Sequence, residues 1–563
     1  MFLIALKVSL AVLFCQAASL LFQYLYQGYK CRSIIRSLRR QKVPIAPHSL
    51  LLGHLPIFAE FRKQHPPDVN IYVFHTWLAD NFARFFPGES KLPPVVYLDP
   101  WPMHEVFTLV YDAAAGTQFT QVESLPKISF LTRYLIPLTA NKDILSTEGD
   151  GWKKWRTILN PCFSPRNVTA LLPELIEEVM VFVDGLKQAA GPLGTWGPVV
   201  QLEKRTTNLS FDVIARATIG LHLHEQSKVE ASPLQRAFYE QMLAMGQMTR
   251  PIGSLLLKLS PWHRARISRN NRIIEEVLEP QIRRKLNLEQ DGLSDSKAQT
   301  LMEVAVASTV TEDGNMLPQT LDESFVEILI SNLKSFMFAG HDTISSTICF
   351  IMKCLEENHD CLAKLRAEHD SIFGNNIDSA VSLLEKSPHL LNSLPYTLAV
   401  IKETLRLYPL ASTMREGQQN FYLTVPGSPI RYPTEGTGIW LSAHGLHTSP
   451  DYWPEPSKFI PERWLAEEGN PLRPVKDTWV PFSAGPRNCI GMELALAQLK
   501  LVVIFTARTF DIEQAWADWD KQCGEKATSS HLVNGQRLYP VGEGAVHPKD
   551  GMPVHVKLRP REF

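Results

Sequence analysis

Cys489 has a sequence setting that favours a reactive or metal-binding sulfur. It lies in PFSAGPRNCIGMELALAQLKLVVIF, residues 481–505, where a glycine-containing loop leads into an apolar helix predicted from about Gly491. Free N–H groups and the positive end of the dipole at a helix N-terminus stabilise a thiolate over a thiol. Such a sulfur is a nucleophile or a soft metal ligand, whereas a lone cysteine beside an apolar helix is usually a buried small hydrophobic residue. The flanking glycines allow a flat, bulky partner to approach, and Arg487 adds a cation.

A second candidate segment, FAGHDT, occupies residues 338–343. It lies inside a long apolar pattern that predicts one helix over residues 320–357. Asp342 and Thr343 put a carboxyl group beside a hydroxyl group, a pair that can pass protons, although the threonine could equally bond back to a backbone carbonyl. Gly340 costs about 1 kcal/mol relative to alanine in a helix interior. We expect that loss to mark a local distortion with a functional purpose.

Charged and aromatic residues recur at one-turn spacing in two shorter helical segments. In VIKETLRLYP, Glu403 and Arg406 lie at i, i+3, and in GWKKWR, Trp152 and Arg156 lie at i, i+4. Taken alone, the first pair is an ordinary helix-surface ion pair worth roughly a few tenths of a kcal/mol. The second pair alone is an ordinary contact between a helix and its neighbour. Both gain significance only as parts of a larger pattern.

The four segments together resemble the cytochrome P450 family, the haem-thiolate monooxygenases. Phe482, Gly485, Arg487, Cys489 and Gly491 reproduce the pattern F-x-x-G-x-R-x-C-x-G. FAGHDT is similar to the family's A-G-x-D-T oxygen-binding groove, and GWKKWR is similar to its W-x-x-x-R pair. VIKETLRLYP followed by KFIPERWL resembles its Glu-Arg-Arg triad. The segments also follow one another in the order found in the family.

This resemblance implies roles toward haem b, iron protoporphyrin IX. Cys489 would be the axial thiolate ligand of the iron, Arg487 would pair with a propionate, and Phe482 would pack near the thiolate. Thr343 would bond the bound oxygen, and Asp342 would control the proton supply. The other cofactor-binding residues would be Gly485, Gly491, Trp152, Arg156 and Arg415. The structural triad would be Glu403, Arg406 and Arg463, forming a buried ion network.

Two positions depart from the family's pattern. Ile344 follows Thr343 where many relatives have a second threonine, and His341 occupies the variable position of the groove. Both flank the Asp342 and Thr343 pair, so we expect them to affect proton delivery. Neither lies in the cysteine loop.

Helical patterns dominate the body of the chain, and β-type runs are short. We predict strands near Val95–Leu98, Tyr422–Val425, Gly438–Leu441 and Val554–Leu558, each bounded by turn residues. The fold class is therefore mostly α with small β-sheets. The resemblance implies the cytochrome P450 fold, a triangular, α-rich prism.

The N-terminus has the pattern of a single membrane-spanning helix. Residues 8–26 carry no charge and are largely apolar, and 19 helical residues reach about the 30 Å of a hydrocarbon core. Residues 30–42 include six Lys and Arg residues and no acidic residue. Such a basic flank stays on the cytosolic side of the membrane. A cleaved signal peptide is the alternative, but the apolar run is longer than such peptides use. We predict an anchor over 1–29, a basic and proline-rich hinge over 30–56, and one catalytic domain over 57–563.

Composition narrows the class of partner. There are 57 Lys and Arg against 58 Asp and Glu, without the basic excess typical of nucleic-acid binding. The eight cysteines form no dense framework and no C-x-x-C pair. No dinucleotide-binding G-x-G-x-x-G follows a strand, so the resemblance implies an external electron donor. That donor would be NADPH–cytochrome P450 reductase, with cytochrome b5 as a further partner, at the endoplasmic reticulum membrane and on its cytosolic side.

The substrate class is indicated only by the predicted membrane anchor and by the resemblance of some segments to particular members of the family. A lipophilic substrate entering from the membrane fits the anchor, and the loop 112–147 and the segment 530–555 correspond to pocket-lining regions of the family. The tail GQRLYPVGEGAVHPKDGMPVHVKLR, with FAGHDT, resembles fungal members that oxidise polyketide-type secondary metabolites. A fatty-acid or alkane hydroxylase is the alternative. A haem-thiolate isomerase that needs no reductase, or a non-enzymatic haem sensor, would be of another class.

Overall fold

The computed structural model describes residues 2–248, 260–290, 300–308, 323–374, 376–524, 531–542 and 545–560. Helices form most of this part of the chain, and the strands are two to six residues long. The expected class, mostly α with small sheets, is confirmed.

The helices follow one another through the whole chain. They are α1 (Phe2–Arg40), α2 (Leu55–Gln64), α3 (Tyr72–Asp80), α4 (Phe82–Phe85), α5 (Ala113–Thr117), α6 (Ser129–Thr139), α7 (Gly149–Leu159), α8 (Pro165–Ala170), α9 (Leu172–Ala189), α10 (Leu202–Ile219), α11 (Pro233–Met248), α12 (Pro261–Gln290), α13 (Leu301–Ala307), α14 (Glu323–Glu357), α15 (His359–Phe373), α16 (Ile377–Lys386), α17 (Pro395–Leu407), α18 (Ala443–His447), α19 (Met492–Thr509) and α20 (Trp516–Cys523).

The strands include all four runs expected from the sequence, two of them with identical bounds. They are β1 (Val95–Leu98), β2 (Phe107–Val110), β3 (Val200–Gln201), β4 (Met414–Glu416), β5 (Tyr422–Thr424), β6 (Arg431–Pro433), β7 (Gly438–Leu441), β8 (Phe510–Gln514), β9 (Pro540–Val541), β10 (His547–Pro548) and β11 (Pro553–Leu558).

The chain divides into two compact units. The smaller unit comprises Met1–Gln64, Phe74–Ile128 and Thr413–Ser442. Its four-stranded sheet has the order β1-β2-β7-β4, in which only the β2 and β7 pair is parallel. Strands β1 and β7 are buried along their whole length, because their apolar runs form the core of this unit. A separate ribbon pairs β5 with β6.

Helix α1 packs into the smaller unit through its C-terminal half. Gly28 lies against the indole of Trp101, where a Cβ atom would come within 2.9 Å of the ring. Arg32 is buried and forms an ion pair with Asp99. The helix continues through the basic stretch and ends at Arg40, before the prolines. Among the helices that the structure describes, none combines the length and apolar content that crossing a membrane requires.

The larger unit comprises His65–Val73, Ser129–Ser412 and Ala443–Phe563. Its centre is α14, 35 residues or roughly 52 Å long at 1.5 Å per residue. Helices α10, α17 and α19 pack around it, and their apolar faces form the main hydrophobic core. The start of α14 at Glu323 leaves the expected residues 320–322 outside the described part of the chain. The sheet β3-β11-β8 and the hairpin β9-β10 lie in this unit too.

Gly340 allows two helices of this core to approach closely. Helix α14 is unbroken at this glycine. A Cβ atom there would lie 2.7 Å from Cδ1 and 2.8 Å from Cγ1 of Ile214 on α10. The structure therefore gives the glycine a packing role, where we expected it to mark a local distortion of the helix. The helix-propensity cost is offset by the contact between α10 and α14.

Candidate active site

The Cys489 loop is shaped by two residues with left-handed backbone and closed by one hydrogen bond. Ser483 has φ +58° and Gly485 has φ +74°, a conformation that favours glycine at the second position. The backbone N–H of Cys489 then donates to the carbonyl of Phe482 over 2.8 Å. Helix α19 begins three residues later, with Gly491 as its N-cap residue. The expected placement of the sulfur, at the start of an apolar helix, is confirmed, and the cysteine is exposed.

Arg487 and Trp152 come together beside this loop. The guanidinium carbon lies 4.1 Å from the centroid of the indole ring, and Nη1 donates to the carbonyl of Thr147 over 3.0 Å. Nη2 forms an ion pair with Glu148. Burial lowers the pKa of the guanidinium, and Glu148 opposes that effect. Arg487 of the loop and Trp152 of α7 are therefore in contact, although they are far apart in the sequence.

Arg156, one turn further along α7, holds the loop from the same side. Its Nη1 donates to the carbonyl of Asn488 over 3.0 Å, and its Nη2 donates to Oδ1 of the same residue over 2.8 Å. Burial lowers the pKa of Arg156, and the charge of the Cys489 sulfur acts in the opposite direction. Asn488 was not among the site residues predicted from the sequence. Its position between the arginine and the cysteine of the motif was the available signal.

The FAGHDT segment is a local break in the burial of α14. Residues 331–337 and 344–355 are buried, whereas residues 338–340 and Thr343 are half-buried. The Thr343 hydroxyl donates to the carbonyl of Ala339 over 2.8 Å, the back-bonding that the sequence left open. Its oxygen keeps its acceptor capacity in that arrangement. Helix α14 is therefore less buried at these four residues than on either side of them.

Asp342, the residue before Thr343, is buried. Its Oδ1 lies 3.5 Å from Nε2 of His547, and its Oδ2 has no hydrogen-bond partner among the residues that the structure describes. His341 is buried beside it and bonds through Nδ1 to the carbonyl of Met337 over 2.7 Å. Burial lowers the pKa of His341. A carboxylate with a spare acceptor and a nearby imidazole is suited to accept and release a proton.

The predicted ion triad is fully assembled around Glu403. Arg406 donates to both of its carboxylate oxygens, over 3.0 and 2.8 Å, and Arg463 donates to Oε1 over 3.2 Å. All three side chains are fully buried. The indole of Trp464 and the backbone N–H of Ile460 supply two more hydrogen bonds to the same carboxylate. Glu403 thereby fixes the segment around residue 460 to helix α17.

Arg406 extends the network toward the cysteine loop. Its guanidinium donates to the carbonyls of His447, Pro456 and Lys458. His447 in turn accepts a hydrogen bond at Nε2 from the backbone of Val480 over 2.9 Å. Val480 precedes the loop directly. This histidine was not predicted from the sequence, because 41 residues separate it from Arg406.

Arg415 belongs to the smaller unit. It lies on strand β4, in register with Ile439 of β7, and its side chain is fully buried. Nη1 donates to the carbonyl of Met414 over 3.0 Å. The remaining predicted residues all belong to the larger unit.

The residues of the larger unit fit haem b. No group of three or more His, Cys, Asp and Glu in the described ranges could hold a metal alone, and one exposed thiol offers a single soft ligand. An iron bound there would take its other ligands from a porphyrin. Half-buried apolar side chains in the loop and on α19, at Phe482 and Leu496, suit its flat faces. The cations Arg156 and Arg487 suit its carboxylates.

Comparison with known proteins agrees with this geometry. Residues 71–535 match the family model for cytochrome P450. The chain is 34% identical to "Cytochrome P450 monooxygenase polC" of Polytolypa hystricis, over 95% of this chain and 93% of that protein. It is 29% identical to "Cytochrome P450 monooxygenase acrF" of Aspergillus aculeatus, over 83% of this chain and 94% of that protein.

The fold also matches a solved structure. The crystal structure of the cytochrome P450DA heme domain aligns with a TM-score of 0.67 and 19% identity, covering 92% of this chain and 98% of that one. The fold, the cysteine loop and the two long sequence matches all agree: this chain belongs to the cytochrome P450 family.

Proposed function

We propose that this protein is a haem-thiolate monooxygenase that inserts one oxygen atom of O2 into a lipophilic substrate. The observation that carries the proposal is the exposed Cys489 at the start of α19, in a loop held by Arg156. Haem b, the cofactor of this family, supplies the thiolate-ligated iron at which dioxygen is activated and its O–O bond cleaved. Cys489 would be the residue that holds the iron, because the helix N-terminus stabilises its anion.

The residues around the cysteine would bind the rest of the cofactor. Arg487 and Trp152 form a stacked pair, so a propionate could replace or join Glu148 as the arginine's partner. Arg156 would hold a second carboxylate oxygen while it keeps the loop in place through Asn488. Gly485 and Gly491 would permit close approach, and Phe482 would pack near the sulfur. The expected propionate contact of Arg415 stays a prediction.

Thr343 and Asp342 would take part in proton transfer. The Thr343 oxygen retains acceptor capacity, and the residue is half-buried. Asp342 is buried one residue before it, with Oδ2 available. Their adjacency would let a proton pass from the carboxyl to the hydroxyl side without an open water channel. Glu403, Arg406 and Arg463 would act structurally, by holding the segment that precedes the cysteine loop.

Electrons would come from a separate protein. Cytochrome P450 monooxygenases use a redox partner, and we propose NADPH–cytochrome P450 reductase, with cytochrome b5 as a further donor. Lys153 and Lys154 support this choice, because both are exposed on α7, the helix that carries Trp152 and Arg156. Exposed lysines steer an acidic partner toward that helix.

The substrate would be a product of fungal secondary metabolism of the polyketide type. The likeness of the tail and the fungal sources of the two relatives support this choice. The loop 112–147 and the segment 530–555 would line the substrate pocket. A fatty-acid or alkane hydroxylase is the second candidate. An isomerase or a haem sensor is disfavoured, because neither uses the Asp342 and Thr343 pair.

We place the protein at the endoplasmic reticulum membrane, with the catalytic domain, residues 57–563, in the cytosol. The charge-free run over residues 8–26 and the basic residues after it support a single-pass anchor over 1–29, followed by the hinge over 30–56. Large apolar side chains on α1 are exposed, among them Phe14, Leu20 and Phe22. Such a patch calls for an apolar environment.

Expression in microsomes with the reductase tests the proposal. A haem-thiolate monooxygenase shifts its spectrum when a lipophilic substrate binds and forms an oxygenated product only with NADPH and reductase. Product formed without electrons would identify an isomerase, and haem binding without any product across polyketides, terpenes and fatty acids would indicate a sensor. A purified protein that carries no haem would overturn the proposal altogether.

A further inference from the structure

His547 lies between two carboxylates of different helices in the larger unit. Its Nδ1 is 2.8 Å from Oε1 of Glu203 on α10, and its Nε2 is 3.5 Å from Oδ1 of Asp342 on α14. The imidazole thus joins a buried carboxylate beside Thr343 to a second carboxylate. About a third of the histidine side chain, 32%, is accessible to water, against 5% for Asp342. The imidazole is therefore much more accessible to water than the carboxylate beside it.

The fold holds the ring in this position. His547 begins β10 and pairs in register with Val541 of β9. At Gly542, φ is +97°, and a Cβ atom would come 3.0 Å from Cδ2 of the imidazole. The amide of Asn70 donates to the Gly542 carbonyl over 2.9 Å and holds that residue in place. A side chain at residue 542 would displace the ring from the two carboxylates.

The charges around the ring favour its protonated form. Burial lowers the pKa of His547, but the hydrogen bond to Glu203 and the negative charge of Asp342 raise it by more. The net effect is a pKa of about 9. Among the described residues, His341 also interacts with His547 through its charge, and burial lowers the pKa of His341. On the opposite side, the hydroxyl of Ser346 donates to the same Glu203 oxygen over 3.4 Å. An imidazolium between two carboxylates is thus the state that the surroundings stabilise.

We propose that His547 is a proton-relay residue that acts through Asp342, with Glu203 orienting it. This inference rests on the proposed function, since it concerns the protons that monooxygenation consumes. His547 gives its Nε2 proton to Oδ1 of Asp342, so the imidazolium becomes neutral imidazole and the carboxylate becomes a carboxylic acid. Asp342 passes that proton toward Thr343, and the ring regains one from water. Each oxygen inserted consumes two such protons and two electrons, the latter from the reductase.

A structural ion pair is the alternative to a proton relay. Substitutions of His547, Asp342 and Glu203 separate these two roles. His547→Gln keeps a polar side chain but cannot carry a proton at neutral pH. It should leave the thiolate-type reduced carbon monoxide spectrum unchanged, while product per NADPH falls by about 10²-fold, the lower end of what a positioned proton donor contributes. Hydrogen peroxide per NADPH should rise, and the solvent isotope effect should grow. Asp342→Asn should do the same, and the double variant should lose no more than either single one.

His48→Gln is the matched control. His48 also contacts a carboxylate, that of Asp99, over 2.9 Å, but it lies in the smaller unit. This variant should keep wild-type coupling. If His547→Gln shows the coupling and the isotope effect of His48→Gln while Asp342→Asn is impaired, the relay is refuted. If Asp342→Asn also couples normally with an intact spectrum, both the relay and the proposed role of Asp342 are wrong, and the haem-thiolate assignment stands.

A second variant covers the case in which His547→Gln fails to fold. Glu203→Gln retains the ring and removes one of the charges that raise its pKa. Coupling should then remain near wild type at pH 6 and fall at pH 8, and the ring should titrate at lower pH in histidine-selective NMR of the ferrous carbon monoxide complex. An unchanged coupling profile, or an unchanged ring titration, would overturn the proposal.

Discussion

The guanidinium of Arg156 donates two hydrogen bonds to Asn488, the residue directly before Cys489. One goes to the backbone carbonyl and one to the side-chain oxygen, across 332 residues of sequence. A planar donor and two acceptors on one residue fix both the position and the tilt of the loop. The cation that is expected to bind the cofactor also positions the sulfur that is expected to ligate it.

Replacing Arg156 by lysine tests that double role. The charge stays, but the two parallel hydrogen bonds are lost, and each bond from a charged donor is worth about 1.5–3 kcal/mol. We expect weaker haem retention, measured as haem transfer to apomyoglobin. Lys154→Ala, at an exposed position on the same helix, should retain haem normally. Equal transfer rates for the two variants would show that the Asn488 contact does not hold the site.

Glu403→Gln should destabilise the protein strongly. The substitution leaves the fully buried guanidiniums of Arg406 and Arg463 without their counter-charge. Breaking a buried pair in this way costs about 3–5 kcal/mol. Denaturant unfolding should show this loss together with low haem content, because the network fixes the segment before the cysteine loop. Glu467→Gln, at an exposed position, should be silent; a stable Glu403→Gln protein would contradict the structural role.

Gly340→Ala should be destabilising even though alanine is the better helix former. The new methyl group would overlap Ile214, at a cost of about 1–3 kcal/mol, against a gain of about 1 kcal/mol in helix propensity. Thermal unfolding should therefore show a lower midpoint. In an Ile214→Ala background the same glycine change should become neutral or stabilising. A penalty that is the same in both backgrounds would exclude the packing explanation.

Acid should weaken the larger unit through His447. Burial lowers its pKa to about 3, and the nearby charge of Arg406 lowers it as well. Because the folded pKa lies below the unfolded value of about 6.5, this contribution is complete above pH 6.5 and is lost as the pH falls toward 3. One such group gives a slope of about 1.4 kcal/mol per pH unit. The experiment measures the free energy of unfolding between pH 6.5 and 4.5.

The His447→Gln variant should have an acid slope shallower by that amount, since the amide can still accept the Val480 hydrogen bond without titrating. His389→Gln, at an exposed position, should follow the wild-type curve. If His447→Gln also follows it, His447 is not held neutral by the fold.

The residues predicted from local spacing lie where the sequence places them, because one loop or one helix turn determines their neighbours. Cys489 at the start of α19 and the pairing of Glu403 with Arg406 are of this kind. The strands at Val95–Leu98 and Gly438–Leu441 could also be predicted locally, since short apolar runs between turn residues favour a buried strand.

Contacts between segments that are distant in the sequence could not be predicted, because they depend on how the helices and strands pack. His547 lies 344 residues from Glu203, and neither position carries a pattern that points to the other. Gly340 shows the same limit: its spacing suggested a distortion, but the neighbour that requires a glycine, Ile214, becomes visible only when α10 is packed on α14.

The reduced carbon monoxide spectrum of Cys489→Ser tests the central claim most directly. Loss of the thiolate ligand should abolish the thiolate-type band, while Cys523→Ser on α20 should keep it. The variant should still fold, because Cys489 is exposed and its loop is held by Arg156 and by the Phe482 carbonyl. A Cys489→Ser protein that retains the thiolate-type band would show that another side chain ligates the iron, and the assignment of this site would be wrong.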